Sequence, residues 1–266
     1  VINNYNLKGW LNMQKPSFFF NKISMSNNSI EVCFSPALSE FIQTRGNSVV
    51  VVVDILRATT SMVSALAHGA KSVIPVSTIE KAMELKKNGF PVAAERDGSL
   101  LSFADHGNSA LEYMSGKVKG EKLVFSTTNG TMAIQKGKEF GELIIGAFSN
   151  LSAIASWISH QDKNVIILCS GWKNSFCLED TIFAGALIEK LLVNKEYSIQ
   201  CDSAFAAIDL WNVAKVDLLN YIQKATHRER LRVLGVDDVL EYSFKMDTTP
   251  IVPILKDGEF ILADMD

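Results

Sequence analysis

Histidine and cysteine are both scarce, at four residues each, and neither is spaced for a metal. Cys33, Cys169, Cys177 and Cys201 form no CxxC pair, and no HExxH occurs, so the chain carries no zinc signature. Thiols this dispersed read as the reduced cysteines of a cytoplasmic protein. Both glycine-rich nucleotide signatures, GxxxxGK(S/T) and GxGxxG, are missing. No apolar run approaches bilayer length, which argues against a membrane protein. The Asn-rich segment 1–24, despite Phe18-Phe19-Phe20, lacks the long apolar core and small-residue cleavage site of a signal peptide. It is expected to be a poorly ordered or non-native extension, with the folded domain over 25–266 and a division into sub-lobes, if any, near 145–165. A strong charge of either sign is missing too. A net charge of −3 gives no global field for nucleic acid, so an anionic ligand must be caught by a local site.

What is present is a run of five valines, Val49 to Val53, followed at once by Asp54, Arg57, Thr59 and Thr60. β-branched side chains in series favour a strand buried on both faces. The next stretch, 61–68 with Gly69 behind it, reads as a helix with a glycine stop. A buried strand thus delivers an acid, a base and hydroxyls to a helix N-terminus, where open α/β sheets bind ligands.

The pattern repeats. Strands are expected over 30–34, 47–55, 72–76, 91–94, 122–126, 142–146 and 164–169. Helices are expected over 78–87, 109–114, 130–135, 151–159 and 179–192. This alternation predicts an α/β fold of three layers, α/β/α, on a mostly parallel or mixed sheet. Beyond residue 200 come a long helical stretch, 203–224, another over 228–234, and a hairpin around Asp257-Gly258 expected to close one edge of the sheet. Trp211 in that long stretch reads either as core or as a subunit contact, and homo-oligomerisation stays open.

Several strands end in polar clusters of one kind. After 91–94 come Glu95-Arg96-Asp97-Gly98; after 122–126, Thr127-Thr128-Asn129-Gly130-Thr131; after 164–169, Ser170-Gly171 and then Glu179-Asp180. In a parallel sheet these ends share one edge. Taken singly, each piece also admits a structural role. Asp54 and the Thr127–Thr131 turn can cap helices, Arg57 can sit in a surface ion pair, and Glu179-Asp180 can complement a helix dipole. His227, beside Arg228 and Arg230, is a general acid or an anion contact, and Cys169 and Cys177 read as packing rather than nucleophiles.

These segments resemble the 2-phosphosulfolactate phosphatase (ComB) family. The resemblance rests on Asp54-Ile55-Leu56-Arg57-Ala58-Thr59-Thr60, Glu95-Arg96, Gly107-Asn108-Ser109, Thr127-Thr128-Asn129-Gly130-Thr131 and Leu178-Glu179-Asp180, in that order, then His227, Asp247 and Val252-Pro253. It covers about residues 30–255. The chain departs at Ala110, where a proline is usual, at Cys177, where the family has a small polar residue, and after His227, where a glycine is common. The resemblance implies a magnesium-dependent phosphatase that converts 2-phospho-3-sulfolactate to sulfolactate on the route to coenzyme M. In that reading Asp54, Glu95, Glu179 and Asp180 supply oxygen ligands to Mg²⁺. Asp54, Arg57 and His227 carry the chemistry. Thr59, Thr60, Arg96, Asn108, Thr127, Thr128, Asn129, Gly130, Thr131, Ser170 and Gly171 hold a small anionic phosphate ester. The alternatives are a phosphatase for another phosphorylated hydroxy acid or sugar phosphate, and a non-catalytic binder of an anionic metabolite.

Overall fold

A computed structural model describes residues 28–44, 46–194 and 197–264. The expected extension over 1–24 lies outside these. The strands are β1 (Asn28–Cys33), β2 (Ser48–Val53), β3 (Ser72–Pro75), β4 (Val92–Arg96), β5 (Ser99–Leu100), β6 (Lys122–Ser126), β7 (Glu142–Gly146), β8 (Asn164–Cys169), β9 (Tyr197–Ile199), β10 (Pro253–Lys256) and β11 (Glu259–Leu262). The helices are α1 (Ala58–Ala67), α2 (Ile79–Lys87), α3 (Ala110–Tyr113), α4 (Gly130–Gly137), α5 (Leu151–Ser159), α6 (Leu178–Leu191), α7 (Asp202–Ala214), α8 (Leu218–Tyr221), α9 (Thr226–Val233) and α10 (Leu240–Ser243).

The valine run explains the layering. All of β2 is buried, and its residues alternate between two cores. Val49, Val51 and Val53 pack with Ile154 of α5, Phe183 and Leu187 of α6 and Ala207 of α7. Val50 and Val52 pack with Met62 and Leu66 of α1 and Ala133 and Ile134 of α4. Helices therefore cover both faces of the sheet, which gives the three-layer α/β/α arrangement.

The sheet is mixed, in the order β5-β4-β6-β3-β11-β10-β7-β2-β8-β1-β9. Within β4-β6-β3 and within β7-β2-β8-β1-β9 all pairings are parallel. The β10–β11 hairpin joins the two blocks through antiparallel pairings to β7, to β3 and within itself. Three reversals in succession leave the two blocks running in opposite senses. Five strand-to-strand steps lie between β2 and β6, yet the start of α4, which follows β6, reaches the end of β2: a Cβ on Gly130 would lie 2.6 Å from Ala58 Cβ. One core holds Val50, Val52 and Leu168 together with Val73, Ala93, Leu123 and Phe125, so both blocks close on the same interior.

Three expectations are corrected. The hairpin sits inside the sheet, not at its edge, because Ile254 and Phe260 are buried in opposite cores. Its turn residues Asp257 and Gly258 have positive φ, as the sequence suggests. The helical stretch 203–224 breaks after Ala214, since Asp217 starts α8 by accepting the Asn220 N–H at 3.2 Å. Helix α1 begins at Ala58, three residues earlier than expected, which draws Thr59 and Thr60 into the helix. Trp211 is core: it is buried and its Nε1–H donates to Glu189 Oε2 at 2.7 Å. No helix among the described residues is long and apolar enough to cross a membrane.

Helices α6 and α7 meet at Gly185, where a Cβ would lie 2.1 Å from the Ala207 carbonyl oxygen and 2.6 Å from Trp211 Cβ. Backbone cannot yield as a flexible side chain can. Gly185→Ala is therefore expected to destabilise the fold by about 1–3 kcal/mol, read as a lower denaturant midpoint at unchanged slope; an unchanged midpoint would refute this close contact.

Candidate active site

Where β2 ends, hydrogen bonds fix the turn. The Ala58 N–H donates to Asp54 Oδ1 at 3.1 Å and the Thr59 N–H to the Asp54 carbonyl at 3.0 Å. The Thr59 hydroxyl accepts from the Asp54 N–H and donates to the Gly146 carbonyl at 2.7 Å, tying β2 to β7. Asp54 thus caps α1 through one oxygen. The other, Oδ2, lies against Gly130, where a Cβ would stand 2.9 Å from it. Only glycine lets the start of α4 approach the carboxylate this closely.

From this floor a narrow cleft opens. Asp54 and Arg57 come from the β2 end, Glu95 from β4, Asn108 from the following loop, and Thr127 to Asn129 from the β6 end. Arg57 is buried and its Nη2 donates to Glu95 Oε2 at 3.0 Å. The hydroxyls of Thr127 and Thr128 and the side-chain oxygen of Asn108 are buried with no hydrogen-bond partner, an arrangement that is costly unless a ligand completes it. Helix α9 forms the opposite wall with His227, Arg230 and Leu231. His227 Nδ1 lies 3.0 Å from Glu179 Oε1, and its ring stacks on Trp172 at 6.2 Å between centroids.

Acid outweighs base at the floor. Burial pushes the Asp54 carboxyl up to about 6; the Ala58 N–H and His227 pull it down, while Glu95 and Glu179 push it further up. Asp180 also stands well above the usual carboxylate range, from burial first and then from Glu179 and Asp54. Hard carboxylate oxygens whose charge is under-compensated fit a hard divalent cation. Asp54 and Glu95 are the ones that face the cleft.

The other residues singled out in the sequence lie around this centre rather than in it. Asp180 is buried beneath the turns: the Ile55 N–H donates to its Oδ1 at 2.9 Å and the Gly171 N–H to its Oδ2 at 3.0 Å. Glu179 is buried behind His227, with Oε2 unpartnered. The hydroxyls of Thr60 and Thr131 donate to the carbonyls of Ile55 and Thr127, at 2.8 and 2.7 Å. Arg96 donates to Ser126 Oγ at 2.9 Å and to the Glu95 carbonyl at 2.7 Å. Ser170 is buried with Oγ unpartnered, outside the cleft lining. Asn129 accepts from the Lys173 N–H at 3.2 Å, linking two of the loops.

Sequence reasoning missed Trp172 and Leu231, and it noticed Asp97, Gly98 and Arg230 without giving them a place in the site; all five line the cleft. Arg230 was within reach, since 227, 230 and 231 share one helical face. Its guanidinium lies 5.1 Å over the Trp172 ring, a cation–π arrangement. Trp172 carried no local signal beyond following Gly171.

Known proteins point the same way. The family model for 2-phosphosulpholactate phosphatase matches residues 33–258. A protein from Caldanaerobacter subterraneus subsp. tengcongensis named "Probable 2-phosphosulfolactate phosphatase" is 39% identical over 213 residues, 79% of this chain and 88% of the relative. Proteins of the same name from Thermotoga maritima and Clostridium beijerinckii are 36% and 32% identical, over 80% of this chain and 92% and 91% of their own lengths. Together with the α/β fold, these matches show that the chain belongs to the 2-phosphosulfolactate phosphatase family.

Proposed function

We propose that this protein is a Mg²⁺-dependent phosphoric monoester hydrolase that converts 2-phospho-3-sulfolactate and water to 3-sulfolactate and inorganic phosphate. The observation that carries the reading is a meeting of opposites in one buried cleft. The under-compensated Asp54 carboxylate and the Glu95 carboxylate stand beside the Arg57 guanidinium, which pairs with Glu95 at 3.0 Å, and the unpaired hydroxyls of Thr127 and Thr128. A site for a cation alone would not need the second set, and a site for an anion alone would not tolerate the first.

Asp54 and Glu95 would hold the Mg²⁺, which when bound supplies positive charge to a phosphoryl oxygen. Arg57 and the Thr127 and Thr128 hydroxyls hold the remaining phosphoryl oxygens and stabilise charge on them as the P–O bond breaks. His227 has Nδ1 turned to Glu179. That leaves Nε2 to give a proton to the departing substrate oxygen. Arg230 on the opposite wall is placed for the second anionic group of such a substrate.

Phosphate release measured with magnesium and with chelator, on 2-phospho-3-sulfolactate and a panel of other phosphate esters, tests this reading. Release from the sulfolactate ester that stops with chelator and returns with Mg²⁺ is expected. Preference for another ester would reassign the substrate. Binding without release from any ester would make the protein a capture module.

A further inference from the structure

Behind the cleft, on the far side of His227, lies a second, open cavity of about 340 Å³. Trp172, Phe176 and Leu178 line it with Lys224 and Ala225. Three side chains with different ligand atoms converge on it. Cys177 Sγ stands 3.9 Å from His227 Nδ1, and Glu179 Oε1 stands 3.0 Å from the same nitrogen. One ligand atom from each residue lies within 4.8 Å of the others. Glu179 Oε2 adds an independent sign: it is buried, it has no hydrogen-bond partner, and its side chain is 2% exposed at the wall of the cavity.

We propose that Cys177, Glu179 and His227 form a site for a thiophilic divalent cation of the zinc class, separate from the magnesium site at Asp54 and Glu95. The donor set of one sulfur, one nitrogen and one oxygen is poor for Mg²⁺, which demands octahedral oxygen, and suits Zn²⁺. The spacing agrees. With Zn–S of about 2.3 Å and Zn–N or Zn–O of about 2.1 Å, tetrahedral ligand atoms stand roughly 3.4–3.6 Å apart. The observed 3.0 and 3.9 Å lie on either side of that range. Burial, then Glu179 and Asp180, hold the Cys177 thiol well above its ordinary range, so it enters as the thiol and gives up its proton to solvent as the metal binds. His227 ligates through Nδ1 and keeps its remaining proton on Nε2.

The site has a consequence that rests on the phosphatase reading. A His227 ring bound to metal through Nδ1 cannot be the imidazolium that protonates a leaving group, so zinc occupancy inhibits hydrolysis even with Mg²⁺ saturating.

The test needs no catalysis. The full chain, stripped of metal, is titrated with zinc against a chromophoric chelator, and with cobalt while the absorption spectrum is recorded. One zinc per chain is expected, as is a thiolate-to-cobalt charge-transfer band with the intense visible bands of tetrahedral Co²⁺. Cys177→Ser should weaken zinc binding on the order of 100-fold, since loss of even an outer-shell partner costs 10–100-fold, and should abolish the charge-transfer band. Cys201→Ser should change neither. His227→Gln, a second route should Cys177→Ser fold poorly, should weaken zinc binding to a similar degree. Absence of stoichiometric zinc, or a cobalt spectrum indifferent to Cys177→Ser in folded protein, overturns the site and leaves the magnesium-dependent reading untouched.

Discussion

Asp54→Asn will lower phosphate release on the order of 10³-fold, equivalent to about 4 kcal/mol of transition-state stabilisation, while leaving the metal-free fold at least as stable as before. The two halves of this expectation have one cause. Asp54 is buried beside Glu95 and Glu179, and its carboxyl is pushed up to about 6. The folded state therefore holds the charge at a cost that the unfolded chain does not bear. Asparagine keeps the oxygen that caps Ala58 and removes the charge, so it relieves the cost and forfeits the proposed magnesium ligand. A site maintained at the expense of stability is better explained by chemistry than by capping, for which Asn serves as well as Asp.

The pH dependence follows with a definite sign. The unfolded carboxyl titrates near 3.9 and the folded one near 6, so between these values the folded state binds the proton that the unfolded state has lost. Stability of the chelated wild type should fall as pH rises through that window, by about 3 kcal/mol once it is passed. Asp180 is shifted in the same direction and adds a fall of its own, smaller in the variant where Asp54 no longer pushes it up, so the difference between wild type and Asp54→Asn reads Asp54 together with its coupling to Asp180. Denaturant unfolding in chelator below and above the window measures it, and magnesium should restore wild-type stability through linkage but not that of the variant. Near-normal turnover of Asp54→Asn, or a stability difference flat in pH, would remove Asp54 from the centre of the mechanism.

How far the sequence foretold this follows from the range of each signal. The valine run was legible because burial on both faces leaves no polar position from Val49 to Val53, and the polar cluster beginning at Asp54, itself buried, marks where the strand ends. The hairpin turn was legible because Asp257-Gly258 is a local signal, but the place of the hairpin was not. That place is decided by single registered contacts, Ile254 with Ile144 and Phe260 with Val73, between strands far apart in the chain. The same limit hid the second wall of the cleft. Arg57 meets Glu95, and His227 meets Glu179, only because the sheet and α9 bring distant segments together. A search for metal spacings in sequence inspects neighbours a few residues apart, whereas Cys177 and His227 are 50 residues apart. Glu179-Asp180 was read as a pair with one role. In the fold, neighbours on the first turn of α6 face different ways, so Glu179 looks to His227 and Asp180 to the backbone of two loops.

That division predicts how Asp180 responds to substitution. Asp180→Ala leaves the Ile55 and Gly171 N–H groups buried without acceptors, each worth about 1–3 kcal/mol, and relief of a buried charge offsets part of this. The net loss expected is about 2–4 kcal/mol, a large share of the stability of a domain this size. Asp180→Asn keeps one acceptor and should lose roughly half as much. Turnover should fall as well, by about 10²-fold for Asp180→Ala, because the latch holds together the turns that carry Asp54 and Trp172, and small displacements of reacting groups are costly. A role as magnesium ligand predicts something else: a fold of normal stability in chelator and a raised magnesium requirement for turnover. Unfolding in chelator alongside a magnesium titration of activity separates the two. If Asp180→Asn unfolds where the wild type does yet needs far more magnesium, the latch is wrong and the carboxylate belongs to the metal.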